Sequence, residues 1–318
     1  MTKSNTFSTA AYGGEGWQQR NSSHQDDIGN IWGDCGLENE YGSLKSVMLH
    51  SPGVELDASL SNPDKIQMLE TVDSGKARDE HAMLVETYQS QGVDVHTLDR
   101  IEPLSPNQMF CADLFAMTPQ GAILARPASV VRAGEEVRMA RGLVGNNVPI
   151  LRTLTGNATF EGADMIWISP DKVLLGQGLR TNQEAAYQIG DILEETGVEL
   201  IPVDMPFGTM HLMGMVRIVS SRLALGWPRR TPHRVITELR DAGYQVEFIP
   251  EVDDFEHGKA FNFVTLESGK ILTVAGNTAA IRFYESLGIE CIETPATELS
   301  KAAGAVGCLT GIIKREKT

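Results

Sequence analysis

The sequence predicts an α/β fold in which five similar units close into a ring. Three observations predict it. A strand–turn–strand–helix–strand grammar recurs along the chain, its period is about 50 residues, and the last copy is divided between the two ends. A unit of that size has too little core to stand alone, whereas five arranged around an axis bury one another's faces.

The elements follow in order. Residues 1–30 are rich in Ser, Gly, Gln and Asn without periodicity and read as a flexible extension; residues 31–318 read as a single domain. A first strand is expected at Leu44–His50 (LKSVMLH), followed by a long irregular stretch, Ser51–Gly75, that we expect to cover a pocket. A helix near Ala77–Gln91 and a strand Val93–Leu98 come next. A looser copy of the grammar runs from Phe110 to Leu151, with its hairpin turn at Thr118–Gly121. In the clearest copy, Met165–Ile168 and Val173–Gly176 flank the turn Ser169-Pro170-Asp171. Asn182–Gly197 follows as a helix with Ala185, Ala186, Ile189, Ile192 and Leu193 on one face and Gly197 as its stop. Val198–Val203 closes that unit. The pattern returns in MVRIVSSRLALGW, a helix from Pro232 to Ala242 and YQVEFI, and again in FNFVTLESGKILTV, a helix ending near Gly288 and IECIET. The last strand, Gly307–Lys314, is expected to pair with Leu44–His50 and so close the ring.

Composition narrows the function. Of 318 residues, 42% are apolar and 22% charged, a globular profile, and the formal net charge of −15 disfavours nucleic acid and anionic membrane surfaces as partners. No apolar run approaches a bilayer-spanning length, and residues 1–25 lack the apolar core of a signal peptide. The four cysteines, Cys35, Cys111, Cys291 and Cys308, include no CxxC pair, which disfavours a zinc site and a disulfide scaffold. A cytoplasmic protein is the expectation. No P-loop and no GxGxxG between strand and helix is present, so no metal and no organic cofactor is expected.

The reactive residues keep the register of the repeat. Asp113, Glu161, His211, Asn262 and Cys308 lie near the hairpin starts at intervals of 48, 50, 51 and 46 residues. In a ring of repeats, equivalent positions converge on the axis, so two carboxylates, an imidazole and a thiol are expected in one pocket. Any one of them alone reads as a core or cap residue; Asp164, beside Gly162-Ala163, reads as a turn cap. The flank Gly304-Ala305-Val306-Gly307 is small enough to admit a ligand to Cys308.

These residues sit in ordered motifs: Pro106-Asn107-Gln108-Met109-Phe110-Cys111-Ala112-Asp113, Arg126-Pro127 with Arg132, Phe160-Glu161-Gly162-Ala163-Asp164, Leu179-Arg180-Thr181-Asn182-Gln183, His211-Leu212 and Gly307-Cys308. In them the chain resembles the guanidino-group modifying enzymes, the superfamily of arginine deiminase, dimethylarginine dimethylaminohydrolase and the amidinotransferases. The resemblance covers roughly residues 40–315 and is nearest the dimethylarginine dimethylaminohydrolase branch. It implies a five-bladed pseudo-symmetric α/β propeller, the pentein fold. It also implies Cys308 as nucleophile, His211 as general acid/base, and Asp113 and Glu161 as grips for the guanidinium nitrogens, with Glu161 counted among the catalytic residues. Arg132 and Arg180 match positions that bind a substrate α-carboxylate. Asn107 stands where an aspartate would hold the α-amino group, Ala112 where that branch often has Glu, and Met213 where deiminases and amidinotransferases carry the Asp of His-x-Asp. Asp164 joins the substrate-binding candidates. The implied reaction is hydrolysis at the guanidinium carbon of arginine, a modified arginine or another guanidino acid, through a covalent thiouronium. Amidino transfer to an amine acceptor shares that intermediate. A non-catalytic propeller module and a Cys-His amidohydrolase are the remaining readings. The expected partner is a small guanidino compound, and homo-oligomers are common in such folds.

Overall fold

The computed structural model describes residues 6–102, 104–251 and 259–317. Fifteen strands form five separate three-stranded sheets among these residues. Four of the sheets repeat one arrangement, in which an antiparallel hairpin is extended by a parallel strand reached through a helix. In chain order these are β3 (Phe115–Thr118), β4 (Gly121–Leu124) and β5 (Ile150–Thr153); β6 (Met165–Ser169), β7 (Lys172–Gln177) and β8 (Glu199–Asp204); β9 (Val216–Ile218), β10 (Leu223–Gly226) and β11 (Gln245–Phe248); and β12 (Val264–Glu267), β13 (Lys270–Val274) and β14 (Glu290–Thr294). The fifth sheet closes the ring. β15 (Gly311–Arg315) runs antiparallel to β1 (Leu44–Leu49), and β1 runs parallel to β2 (Asp94–Thr97).

Each crossover is one helix: α1 (Ser74–Ser90), α2 (Glu135–Gly145), α3 (Gln183–Glu194), α4 (His233–Asp241) and α5 (Thr278–Ser286). Their starts follow from local chemistry. The side chain of Asp73 accepts from the amides of Gly75 and Lys76, that of Asn182 from Ala185, and that of Asn277 from Ala280. Each such cap satisfies a helix-end donor and contributes about 1 kcal/mol. The apolar stripe of α3 read from the sequence is the buried one: Ala185, Ala186, Ile189 and Leu193 face the sheet.

One expected strand is not a strand throughout. Val306–Leu309 forms a helical turn and β15 begins only at Gly311, so Cys308 sits on a turn ahead of its strand. The small residues of Gly304-Ala305-Val306-Gly307 let the chain coil there before it extends.

The N-terminal residues 6–30 carry short helical turns. One, His24–Asp27, is held by a capping box from Ser23, and the His24 ring contacts the Gln120 carbonyl at 2.9 Å. The stretch after β1 contains 3-10 turns at Val54–Leu60 and Asp64–Ile66. It is pinned by the buried Leu56, Met68 and Val72 and by hydrogen bonds that the Leu69 and Glu70 amides donate to the Lys301 carbonyl. No helix among the described residues is long and apolar enough to cross a membrane.

Candidate active site

The five sheets place equivalent turns at one end of the axis. Ahead of β3 is the 3-10 turn Cys111–Asp113, ahead of β6 is Gly162–Asp164 with Glu161 at its N-cap, and ahead of β9 is Leu212–Gly214 with His211 at its N-cap. Asn262 precedes β12, and the turn holding Cys308 precedes β15. The turns pack tightly. A Cβ on Gly162 would lie 2.1 Å from the Phe115 carbonyl oxygen and 2.6 Å from that of Ala112. Backbone at that distance cannot yield, so only glycine fits between two of the converging turns.

Cys308 stands where two lobes of a cleft meet. One lobe is lined by Asn107, Asp113, Arg132, Arg180 and Gln67, and the other by His211, Asn262, Met213, Trp227 and Phe261; Cys308, Met210 and Ala303 belong to both. The wider lobe has a volume of about 240 Å³. The Asn262 side chain grips Cys308 twice: its Nδ2 donates to Sγ at 3.2 Å, and its Oδ1 accepts from the Cys308 amide at 3.1 Å. Burial and then the Asp113 carboxylate push the thiol up. The Asn262 hydrogen bond, the backbone of Ala305 and the Arg217 charge oppose them.

His211 is buried between acids. Its Nε2 lies 2.7 Å from Glu161 Oε2, and its Nδ1 is 3.8 Å from Asp113 Oδ1. Burial opposes its charge, but Asp113, Glu161 and Asp164 outweigh burial and hold the imidazole above its ordinary range. Glu161, 0% exposed, is driven the other way: burial would raise it, and His211, Arg132 and Arg180 together hold it low.

The carboxylates do not all face the cleft. Glu161 was expected to grip a guanidinium, yet its oxygens serve His211 and Arg180, whose Nη1 lies 3.2 Å from both. Its place is behind the imidazole. Asp164 is likewise absent from both lobes: Oδ1 accepts from the Leu212 amide and Oδ2 from the Thr181 hydroxyl, so it caps turns, as its Gly-Ala flank suggested. Burial raises its carboxyl to about 6. Asp113 does line the cleft. Its Oδ2 accepts from Arg132 Nη1, while its buried Oδ1 has no hydrogen-bond partner.

Arg132 lines the cleft as expected, but it is locked in place. Nε donates to Glu135 at 2.8 Å, Nη1 to Asp113 at 2.6 Å, and Nη2 reaches the carbonyls of Asn107 and Phe110. Asn107 uses its amide on the Ile66 carbonyl, which ties the stretch after β1 to the cleft rim. Glu135 and Arg217 were not anticipated as site residues. Asn262 was seen in the register, but its grip on Cys308 was not. Asp113, Glu161 and His211 offer one ligand atom each within 4.8 Å of one another. Arg132 and Arg180 already supply that cluster with the positive charge a metal ion would bring.

Fold and site together define a five-bladed α/β propeller of the guanidino-group modifying superfamily. Within it the chain belongs to the N,N-dimethylarginine dimethylhydrolase family, whose eukaryotic family model matches residues 58–310. It is 26% identical over 244 residues to the N(G),N(G)-dimethylarginine dimethylaminohydrolase of Pseudomonas aeruginosa, spanning 75% of this chain and 89% of that one. It is 28% identical over 243 residues to the enzyme of that name from Mycobacterium tuberculosis, spanning 75% and 76%. The fold is shared with a mutant of the Pseudomonas aeruginosa enzyme complexed with citrulline, at TM-score 0.71, 23% identity and coverage of 86% of this chain and 100% of that one. It is shared too with an amidinotransferase from Microseira wollei, at TM-score 0.73, 13% identity and coverage of 89% and 98%.

Proposed function

We propose that this chain is a cysteine-dependent hydrolase acting at the guanidinium carbon of arginine or an arginine derivative. The observation that carries the reading is the placement of Cys308 on the wall common to both lobes, with Asp113 on one side and His211 and Asn262 on the other. A guanidinium carbon is a weak electrophile because its charge is spread over three nitrogens. Oδ1 of Asp113, which has no hydrogen-bond partner in the protein, accepts from one nitrogen and fixes the plane of the cation, a positioning effect. Bringing that cation to Cys308 favours the thiolate.

The sulfur then adds to the guanidinium carbon. The bond to the departing nitrogen breaks as His211 passes it a proton, leaving a thiouronium on Cys308. Water adds to that carbon and gives a proton to the imidazole. The carbon–sulfur bond breaks and the added hydroxyl gives its remaining proton to solvent, which returns the thiolate and releases a neutral ureido product. Glu161 holds the imidazole in place and stabilises its charged form. Arg180, at the rim of the narrow lobe, meets the far end of the substrate, as Asn107 and Arg132 do through the wall they build. The names of the curated relatives support hydrolysis at this carbon. All four cysteines are unpaired, which supports a reducing, cytoplasmic setting.

The test is a panel of guanidino compounds with mass-spectrometric identification of products, run with and without glycine or lysine. A ureido product with ammonia or an alkylamine supports the reading. Guanidinoacetate or homoarginine would replace it with amidino transfer. No product from any member would count against it.

A further inference from the structure

Arg217 is a buried cation that the steps above do not use. It lies on β9, six residues after His211. Its Nε donates to the Phe261 carbonyl at 2.9 Å, and its guanidinium carbon stands 5.4 Å from the centre of the Phe263 ring. Its Nη2 is buried with no hydrogen-bond partner. It lines both the wide lobe and a second, rear cavity of about 90 Å³. That rear cavity is bounded by Ala112, Met213 and Gly307, next to or near Asp113, His211 and Cys308 in the chain, and also by Glu40 and Arg315. The guanidinium presses on the turn that carries the nucleophile: a Cβ on Gly307 would come within 2.3 Å of Nη2.

A charge buried with one backbone acceptor and an idle donor is expensive unless an anion stands nearby. The groups that act on Arg217 electrostatically are Cys308, Glu40, Tyr284, Tyr88 and Arg315. Among them Glu40 faces the rear cavity, the tyrosines are neutral at physiological pH, and Arg315 repels. Cys308 is the one that faces the reaction. Acting on Cys308 are Asp113, which opposes ionisation, and Asn262 and Arg217, which favour it. His211, Lys259 and Arg230 line the same lobe.

We propose that Arg217 is a positioning residue that holds a fixed positive charge behind Cys308 and stabilises its thiolate. The inference rests on the reading of Cys308 as the nucleophile. Arg217 touches the Gly307 turn and not the reacting atoms, so its action is electrostatic. It offsets the burial and the Asp113 charge that keep the sulfur protonated.

The experiment titrates Cys308 without substrate. The full chain is alkylated with iodoacetamide across a pH series, and the rate is read by mass spectrometry on the Cys308 peptide, free of Cys35, Cys111 and Cys291. Arg217→Met should move the midpoint up by about one unit, so that the rate on the rising limb falls about tenfold while the high-pH plateau stays put. Arg217→Lys should keep the midpoint near that of the parent. Gly307→Ala gives a second test should Arg217→Met not fold, because the added methyl would meet Nη2 at 2.3 Å, ahead of Met213 Cε at 3.0 Å and Asn262 Oδ1 at 3.1 Å; the same upward movement is expected, and Asn262→Ala measured beside it shows the part that comes from the Asn262 bonds. A parental midpoint in folded Arg217→Met or in Gly307→Ala overturns the proposal, as does an Arg217→Lys shift as large as that of Arg217→Met. Because no turnover is measured, failure of the guanidino-hydrolase reading would be seen in the compound panel and not here.

Discussion

Arg132 Nη1 and Asp113 Oδ2 lie 2.6 Å apart, with both side chains at most 5% exposed. One Asp113 oxygen is thereby committed to the wall, whereas Oδ1 is buried, has no hydrogen-bond partner and lies 3.8 Å from His211 Nδ1, in a residue that lines the cleft holding Cys308.

The first prediction concerns that oxygen. Asp113→Asn keeps the shape but removes the charge that meets the substrate cation. A hydrogen bond to a charged group is worth about 1.5–3 kcal/mol, so kcat/KM should fall about 10- to 100-fold, with the fold unchanged by circular dichroism. An Asn variant as active as the parent would remove Asp113 from the substrate site.

A second prediction follows from the acids around His211. A histidine raised in the folded state contributes stability that is complete below its unfolded value of 6.5 and lost as pH rises through the folded value. The stability difference between the parent and His211→Gln, from urea midpoints, should therefore be largest below pH 6.5 and shrink above it. Glu161→Gln should bring the imidazole down toward its ordinary range, visible in its NMR titration. A difference that grows with pH would contradict the assignment of charge.

The third prediction tests the wall. Glu135 is 0% exposed, holds Arg132 Nε at 2.8 Å and accepts from the Ser105 hydroxyl at 2.5 Å. Removing one partner of a buried ion pair costs about 3–5 kcal/mol. Asp113 still pairs Arg132, so Glu135→Ala should lie near the lower end, measured by denaturant unfolding. A change within the error of that measurement would mean that Asp113, Glu161 and the Asn107 and Phe110 carbonyls hold Arg132 without Glu135.

Much of this site is visible in the sequence because symmetry puts it there. Asp113, His211 and Cys308 keep the register of the repeat, and the same register carries Asn262. The five units appear because each helix shows its stripe or its stop, as Ala185, Ala186, Ile189 and Leu193 do before Gly197. The roles of Glu135 and Arg217 are hidden because they are set by what surrounds each side chain in space. Glu135 reads as an ordinary acid in the first turn of a helix, and nothing in the string ties it to Arg132. Arg217 lies in an apolar hairpin that looks like any other strand with one charge. Glu161 keeps the register as well, but nothing in the string shows that its oxygens meet His211 and Arg180. The helical turn around Cys308 is hidden in the string because alternation fails to separate four helical residues from an extended start.

The claim on which all of this depends is that the Cys308 sulfur bonds to the guanidinium carbon. It is tested most directly by acid-quenching the enzyme during turnover of a guanidino substrate from the panel and weighing the Cys308 peptide intact. The account predicts an added amidino-type mass on Cys308 that forms and decays with turnover and is absent from Cys308→Ser, which turns nothing over. Undiminished turnover by Cys308→Ser, or an adduct carried by Cys35, Cys111 or Cys291 while Cys308 stays unmodified, would contradict it.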